Sequence, residues 1–212
     1  MLDAFQEDRD IHTETARILF NSSSPEQRRI AKTVNFGIIY GMSAFGLAQQ
    51  LRISPEEAQG FITAYFEKYA GVREFIEQTI ASAREKGYVA TLLGRRRSIP
   101  GMNSRRNNER LLAERLAVNT PIQGSAADAI KAAMVRIAAR LTSRNLKGKM
   151  ILQIHDELLF EIPEREQNEW IPLVREAMEE ALAISVPLKV SVKSGLNWQD
   201  MTPALDKPEK FR

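Results

Sequence analysis

The sequence predicts an α+β protein: a mainly helical first part, followed by a small antiparallel sheet backed by helices. Apolar residues recur at helical spacing in several segments before Gly148, and two short β-type runs follow that glycine. The chain has 212 residues, of which 43% are hydrophobic, so it is long enough to bury a core. These observations together favour helices first and a sheet afterwards.

Capping residues mark the starts of the first predicted helices. Ser24 is followed three residues later by Gln27, which is typical of a capping box and predicts a helix over about residues 25–40. Pro55 and the two acids after it favour the start of a second helix. A third helix is predicted over about residues 72–86, where a glycine follows.

The middle of the chain is predicted to contain one strand and two helices. Residues 88–93 are of strand type and end at the turn residue Gly94. Residues 105–119 have helical spacing, and Pro121 is predicted to interrupt that helix because the residue before a proline avoids the helical region. An Ala-rich helix is predicted to continue from Ile122.

A hairpin is predicted over about residues 149–163. Residues 149–154 and 158–162 are β-type runs, and His155-Asp156-Glu157 lies between them as the turn. The turn therefore presents two adjacent carboxylates.

The end of the chain is predicted to form a helix, a strand and a tail. Apolar residues repeat at spacings of three and four from Trp170 to Leu182, with Pro172 as the start of the helix or a kink in it. Residues 188–192 predict a final strand, and residues 197–212 predict a loop and tail.

Composition excludes several kinds of site. The chain has no Cys and only two His, so disulfides, thiolate metal sites and histidine-rich zinc clusters are ruled out. A metal would have to be a hard cation held by carboxylates. No apolar run reaches the roughly 18 residues of a membrane span, and the N-terminus lacks a signal pattern. We therefore expect a cytoplasmic protein without a membrane partner.

Charge is unevenly distributed, although the net charge is only +3. Residues 95–110 carry six Arg against one Glu, whereas residues 164–182 carry six Glu against two Arg. This distribution is consistent with one face for a polyanion and another for solvent. The alternative is that both runs are ordinary solvated surface.

The most informative segment runs from Arg28 to Gly41. Its residues Arg28, Lys32, Phe36 and Tyr40 step by four and would form a row on one helix face. Cations near the start of the helix suit the phosphates of a nucleotide, and an aromatic ring suits its base. The alternative is an amphipathic helix that buries the two aromatic residues and leaves the cations in water.

Two glycines near the end of this predicted helix would weaken it. Gly37 and Gly41 each cost about 1 kcal/mol relative to Ala in a helix interior. Their presence predicts that another group approaches the backbone closely there.

The string Arg-x3-Lys-x3-Phe-Gly-x2-Tyr-Gly resembles motif B of the family A DNA polymerases. Residues 9–16 resemble the segment ahead of it, which in the family places a His near the triphosphate. The resemblance implies template-directed DNA synthesis from dNTPs, with Arg28 and Lys32 acting on the phosphates. It also implies a nucleotide-binding set of His12, Arg28, Lys32, Phe36 and Tyr40.

Two further segments resemble DNA-contacting parts of the family. Residues 91–97 resemble its basic turn, and residues 119–128 resemble the helix that contacts the primer–template duplex. The resemblance implies DNA contacts by Gly41, Arg95, Arg96, Arg115, Asn119, Gln123 and His155. Without the family, the amides would more often be caps or solvated residues.

Residues 153–158 resemble motif C, the acidic hairpin of the family. The resemblance implies that Asp156 is a catalytic metal ligand, that Glu157 is a neighbour or weaker ligand, and that two Mg²⁺ ions serve the complete enzyme. The implied reaction is attack of the primer 3′-hydroxyl on the α-phosphate, with pyrophosphate leaving. The alternative for this turn alone is a plain acidic hairpin tip.

The sequence departs from the family in two respects. No Asp-bearing strand like motif A is present, nor is a thumb. We therefore expect a polymerase fragment with fingers over residues 1–110 and the latter part of the palm over residues 111–212. Its partners would be primer–template DNA, dNTP and the missing upstream palm and thumb, without which it would be inactive. The alternative is a non-catalytic nucleic-acid-binding remnant of a polymerase.

Overall fold

The computed structural model describes residues 1–204 and confirms the α+β class. It divides into two compact units, Met1–Ser125 and a second that begins at Ala126. The helices are α1 Leu2–Gln6, α2 Ile11–Phe20, α3 Pro25–Ile39, α4 Ala44–Leu51, α5 Pro55–Lys68, α6 Ala70–Lys86, α7 Asn107–Ser143 and α8 Gln167–Glu179. A short 3-10 helix, Glu164–Glu166, precedes α8.

The strands form three two-stranded antiparallel sheets. They are β1 Tyr88–Ala90, β2 Arg96–Ser98, β3 Lys149–Ile154, β4 Glu157–Glu161, β5 Lys193–Ser194 and β6 Thr202–Pro203. The predicted tail contains β6, and its last eight positions, 205–212, lie outside the described residues. No helix in the described part is long and apolar enough to cross a membrane.

The start of α3 confirms the predicted capping box. The Ser24 hydroxyl accepts from the backbone N–H of Gln27 at 3.3 Å, and the Gln27 side-chain oxygen accepts from the backbone N–H of Ser24 at 2.9 Å. Pro25 occupies the first helical position, where a missing N–H costs nothing. The helix ends at Ile39, with Tyr40 as its C-cap.

The first unit holds two hydrophobic clusters. One joins Val34 and Ile38 of α3 to Leu47 of α4 and to Ala58 and Tyr65 of α5. The other gathers residues of α6, β1, the segment after β2 and α7, namely Ala83, Val89, Ile99, Met102, Ala113 and Ala117. Because Val34 and Ile38 are buried in the first of these clusters, the opposite face of α3 points away from it.

The prediction of a single strand over residues 88–93 is wrong. Tyr88–Ala90 pairs with Arg96–Ser98, and residues between the strands form a turn closed by a 2.9 Å hydrogen bond from Gly94 to the Thr91 carbonyl. Gly94 has a φ of +82°, which glycine adopts without strain. The chain thus reverses before the strand-type run ends.

Pro121 does not interrupt its helix, contrary to the prediction, because α7 continues through it. A proline inside a helix costs about 3 kcal/mol because it lacks an N–H and its ring crowds the preceding turn. Burial offsets this cost, since Ala117 and Val118 pack in the turn before it. The Ser125 hydroxyl also donates to the Pro121 carbonyl at 2.5 Å.

The second unit packs α8 and the β3–β4 hairpin around the later part of α7. Ala133 and Ile137 of α7 and Trp170 of α8 are fully or nearly fully buried. Phe160 of β4 meets the Trp170 ring edge-on with centroids 5.4 Å apart. A Cβ at Gly148 would clash with the same indole, so the loop before β3 requires glycine.

Two predictions near the end of the chain are corrected. Pro172 is not the start of its helix, which begins at Gln167 and ends at Glu179, so the proline lies in the second turn, where it removes one hydrogen bond. Residues 188–192 form no strand. The backbone N–H of Val190 instead donates to the Glu179 carboxylate at 3.1 Å, and pairing begins only at Lys193.

Candidate functional site

Two of the other predicted row residues, Lys32 and Tyr40, lie next to the Phe36 side chain. The ammonium of Lys32 lies 5.9 Å from the centroid of the Phe36 ring, and the rings of Phe36 and Tyr40 stack with centroids 6.0 Å apart and an interplanar angle of 17°. Phe36 is 44% exposed, because Val34 and Ile38 form the buried face instead. The alternative in which Phe36 is a core residue is wrong.

His12, in the first turn of α2, lies beside this row. Its ring centroid is 5.6 Å from that of Phe36, and its Nδ1 is 2.9 Å from the side-chain nitrogen of Asn35. Burial lowers the pKa of His12, and the positive charges of Arg28 and Lys32 lower it further against the opposing effect of Asp10. His12 is therefore neutral near pH 7.

Arg28 begins the row and is paired with Asp10. Its Nε donates to the Asp10 carboxylate at 2.5 Å, and both side chains are partly exposed. Asp10 is also the N-cap of α2, where it accepts from the backbone N–H groups of His12 and Thr13 at 2.8 Å and 3.4 Å. Burial raises the pKa of Asp10, but these hydrogen bonds and the Arg28 charge outweigh it and lower the pKa overall.

The two glycines near the end of α3 are approached by other residues of this chain. A Cβ at Gly37 would lie 3.3 Å from the sulfur of Met42, and one at Gly41 would lie 3.1 Å from Cγ of Arg115. Gly41 lies beyond the helix with a φ of +72°, so the expectation of a glycine in the helix interior is wrong there. The structure thus brings Gly41 and Arg115 together.

A basic pocket lies where the turn of the β1–β2 hairpin meets α7. This cavity of about 280 Å³ is lined by Thr91, Arg95, Arg96, Arg97, Thr120, Gln123 and Gly124. Arg97 donates to the Thr120 hydroxyl at 3.2 Å, and the Arg96 guanidinium stacks 4.8 Å from the centroid of the Tyr88 ring. Three of the predicted DNA-contacting residues, Arg95, Arg96 and Gln123, therefore share one concave surface.

Asn119 lies on α7 one turn before Gln123. Its side-chain oxygen is buried and accepts no hydrogen bond from any described residue. A buried acceptor without a donor is costly, by about 1–3 kcal/mol, so this atom is suited to a donor supplied by a ligand.

The acidic hairpin in the second unit is tighter than predicted. Glu157 already pairs with Ile154, so the turn contains only His155 and Asp156, and the predicted three-residue turn is wrong. His155 has a φ of +52°, and its carbonyl accepts from the Gln153 side chain at 3.1 Å. All three tip residues, His155, Asp156 and Glu157, are exposed.

The hairpin tip fits a magnesium ion only in part. Two adjacent carboxylates offer the oxygen ligands that Mg²⁺ prefers, and this ion keeps several waters and shares phosphate oxygens. Within residues 1–204, no group of three or more His, Asp or Glu side chains gathers in a metal-binding arrangement. Asp156 can therefore supply carboxylate oxygen to a metal ion, whereas a pair of ions needs a further carboxylate.

The sequence patterns gave no site role to Asp10, Thr15 or Tyr69, and they placed Asn35 in the motif B segment without a contact. Asp10 pairs with Arg28 of the row, whereas Tyr69, Thr15 and Asn35 form a series of side-chain contacts that ends at His12. Asp10 stands just before an amphipathic helical stretch, and this N-cap position could have identified it. The other contacts join positions 20 to 54 residues apart, and helical periodicity carries no signal for them.

The chain resembles proteins of one family over nearly its whole length. Residues 1–200 match the model of DNA polymerase family A. The chain is 50% identical over 204 residues to DNA polymerase I of Bacillus caldotenax and to that of Bacillus subtilis (strain 168), which is 94% of this chain and 23% of each relative. It therefore spans less than a quarter of the length of these curated relatives.

A solved structure has the same fold. The POL domain of Pol1 from M. smegmatis, in complex with DNA primer-template and dNTP, matches with a TM-score of 0.85 and 44% sequence identity. The match covers 89% of this chain and 34% of that chain.

Proposed function

This chain belongs to DNA polymerase family A, and on that premise we propose that it supplies the nucleotide-binding helix, a DNA-binding surface and one metal-binding carboxylate of a polymerase. In this proposal residues 1–110 are the fingers and residues 111–212 are the latter part of the palm. The reaction is transfer of a nucleotide from dNTP to a primer 3′-hydroxyl. The observation that carries the proposal is the exposed row of Lys32, Phe36 and Tyr40 beside His12.

Along this row the triphosphate meets cations and the base meets an aromatic ring. Arg28 can form two hydrogen bonds to phosphate oxygens, and Lys32 adds a compact positive charge that neutralises the leaving pyrophosphate. The neutral ring of His12 adds a donor without adding charge. The exposed Phe36 ring supplies a stacking surface worth about 1–3 kcal/mol per base, and its stacking on Tyr40 holds its orientation.

The basic pocket and the Gly41–Arg115 contact are suited to the primer–template duplex. Arg95 and Arg96 supply positive charge for phosphates, and Gln123 beside them can donate and accept at a base edge. The side-chain oxygen of Asn119, one turn before Gln123, has no hydrogen-bond donor among residues 1–204 and gains one if a base or sugar lies there. His155, exposed at the hairpin tip, is proposed to contact the primer terminus.

Asp156, with Glu157 as a weaker neighbour, would hold Mg²⁺ at the hairpin tip. When bound, two such ions stabilise the charge that develops on the entering and leaving oxygens. The second ion requires a carboxylate from a strand such as motif A, which this sequence does not contain. We therefore propose that residues 1–212 alone do not extend a primer.

A chimera tests this proposal directly. This chain would replace the matching 204 residues of the Bacillus subtilis relative, which restores the upstream palm and thumb. We expect Mg²⁺-dependent incorporation of dNTP by the chimera and none by this chain alone. Asp156→Asn should abolish incorporation, whereas Glu161→Gln, at the other end of the same hairpin, should leave it unchanged. Full activity of the Asp156→Asn chimera would refute the metal assignment.

The second candidate is a nucleic-acid-binding remnant without catalysis. One observation favours it: within residues 1–204 no three His, Asp or Glu side chains come together so that they could hold one metal ion. Such a remnant would bind primer–template through the basic pocket, but its chimera would incorporate no nucleotide.

A further inference from the structure

A buried chain of hydrogen bonds connects the core of the first unit to His12. The hydroxyl oxygen of Thr15 lies 3.5 Å from that of Tyr69 and 3.0 Å from the side-chain oxygen of Asn35. The side-chain nitrogen of Asn35 then lies 2.9 Å from Nδ1 of His12. Thr15 is 0% exposed and Asn35 is 4% exposed, so water does not replace these partners.

The orientation of the Asn35 amide determines which nitrogen of His12 carries the proton. The amide nitrogen can only donate, so Nδ1 of His12 must accept and is not protonated. The amide oxygen, at the other end, accepts from the Thr15 hydroxyl. Tyr69 can donate to the Thr15 oxygen, so the single Thr15 proton is shared between Asn35 and the Ile11 carbonyl 2.9 Å away.

We propose that Asn35 is a positioning residue that fixes the neutral His12 ring as its Nε2–H tautomer, so that this N–H can donate to a triphosphate oxygen. The tautomer follows from the hydrogen bonds alone, and only the identity of the ligand rests on the proposed function. In this arrangement Asn35 needs no contact with the nucleotide. It acts through His12.

Electrostatics around His12 favours the same state. The charged groups that face the ring are Asp10, Arg28 and Lys32, and the two cations disfavour a third positive charge. Protonation of Nδ1 would also set two donors against each other, because the Asn35 nitrogen has no lone pair to accept with. A neutral donor therefore adds a hydrogen bond to phosphate without adding to the repulsion between cations.

The tautomer can be read from nitrogen chemical shifts in a two-bond ¹H–¹⁵N NMR spectrum of the ¹⁵N-labelled chain. Only His12 and His155 contribute ring signals, and His12→Gln assigns them. We expect the wild-type His12 ring to be an Nε2–H tautomer with a pKa below 6.5. A wild-type ring protonated on Nδ1 would overturn the proposal, and this result requires no variant to fold.

Asn35→Asp is the decisive variant, because a carboxylate accepts where the amide nitrogen donates. We expect the His12 proton to move to Nδ1 and its pKa to rise. Asn35→Ala should give a mixture of tautomers, and circular dichroism would establish that both variants fold. An unchanged Nε2–H signal in folded Asn35→Asp would overturn the proposal.

Titration with dATP separates the tautomer from the proposed function. We expect dATP to shift the wild-type His12 signals and to bind Asn35→Asp at least about tenfold more weakly, as loss of one hydrogen bond to a charged group implies. If dATP shifts no His12 signal while Asn35→Asp still moves the proton, nucleotide binding at this ring is refuted and the positioning by Asn35 stands. Equal dATP affinity of wild type and Asn35→Asp would overturn the role of the tautomer in binding.

Discussion

Gly41 and Arg115 lie close together, with Cγ of Arg115 only 3.1 Å from the position that a Cβ of Gly41 would occupy. The turn that follows α3, the helix proposed to bind the nucleotide, thus comes close to the first part of α7 at this position. Because Gly41 has a φ of +72° and no side chain, the backbone can turn and approach α7 at one point. Both residues belong to the proposed DNA-binding surface, so their contact joins that surface to the nucleotide row.

Gly41→Ala should destabilise the first unit. The left-handed backbone disfavours any L side chain by about 1 kcal/mol, and the new methyl group would press on Arg115. We expect a loss of about 1–2 kcal/mol in the free energy of unfolding by urea. Gly60→Ala is the matched control, because Gly60 lies within α5 with no atom near its Cβ position and should gain about 0.5–1 kcal/mol. Equal effects of the two substitutions would refute this account of Gly41.

Phe36→Ala should weaken dNTP binding without unfolding the protein. Phe36 is 44% exposed and does not belong to the hydrophobic cluster of α3, so its removal leaves that cluster intact, whereas a stacking surface worth about 1–3 kcal/mol disappears. We expect dNTP affinity to fall about 5- to 150-fold, as measured by titration of the chimera bound to primer–template. Phe45→Ala, at a ring that is 65% exposed on α4, should leave the affinity unchanged. A similar loss in both variants would show that stacking on Phe36 is not the cause.

Asp10→Asn should change the pH dependence of stability. The pKa of Asp10 is lower in the folded protein than its ordinary value of about 3.9, so its contribution is complete above that value and is lost as the pH falls through the folded pKa. Asn keeps a capping oxygen but does not titrate. We expect a flatter decline in Tm below about pH 4 for the variant than for wild type. Superimposable profiles would refute the contribution of the Arg28–Asp10 pair.

The same substitution should lower the pKa of His12. The negative charge of Asp10 raises that pKa in the wild type, against burial and the two cations. Without the Asp10 charge, only burial and the two cations act on the pKa of His12, and both lower it. NMR titration of the His12 ring measures this, and a rise in its pKa would contradict the arrangement.

Tyr65→Phe and Tyr69→Phe should have different effects on the stability of the protein. The Tyr65 hydroxyl is buried and has no hydrogen-bond partner among the described residues, and burial raises its pKa. Its removal should be neutral or stabilise the protein by up to about 1 kcal/mol. The Tyr69 hydroxyl lies next to Thr15, so its removal should destabilise the protein by about 1 kcal/mol. Thermal unfolding of the two variants, side by side, tests this contrast.

Local sequence predicted those features that local interactions determine. The capping box at Ser24 and the spacing of four from Arg28 to Tyr40 depend only on neighbouring residues, and both correspond to α3 as observed. The acidic hairpin also follows from two adjacent β-type runs. Pro121 shows the limit, because packing of the turn before it outweighs the intrinsic preference of proline.

The contacts that tune the site could not be predicted in this way. Arg28 meets Asp10 across 18 positions, and Asn35 meets His12 across 23. Each of these pairs depends on how α2 packs on α3, which residue spacing within one helix does not encode. The turn between β1 and β2 could not be predicted from spacing either. The first strand ends at Ala90 because Ala90 is the last residue that pairs with β2, at Arg96.

Single-turnover incorporation of dNTP by the chimera is the sharpest test of whether α3 presents a nucleotide-binding row. Lys32→Ala removes the compact charge proposed to neutralise the pyrophosphate, so we expect the incorporation rate at limiting dNTP to fall by about 100-fold or more. Lys86→Ala is the control, because Lys86 is exposed at the end of α6, and its incorporation rate should equal that of the wild type. Equal incorporation rates for Lys32→Ala and the wild type would refute nucleotide binding by this row.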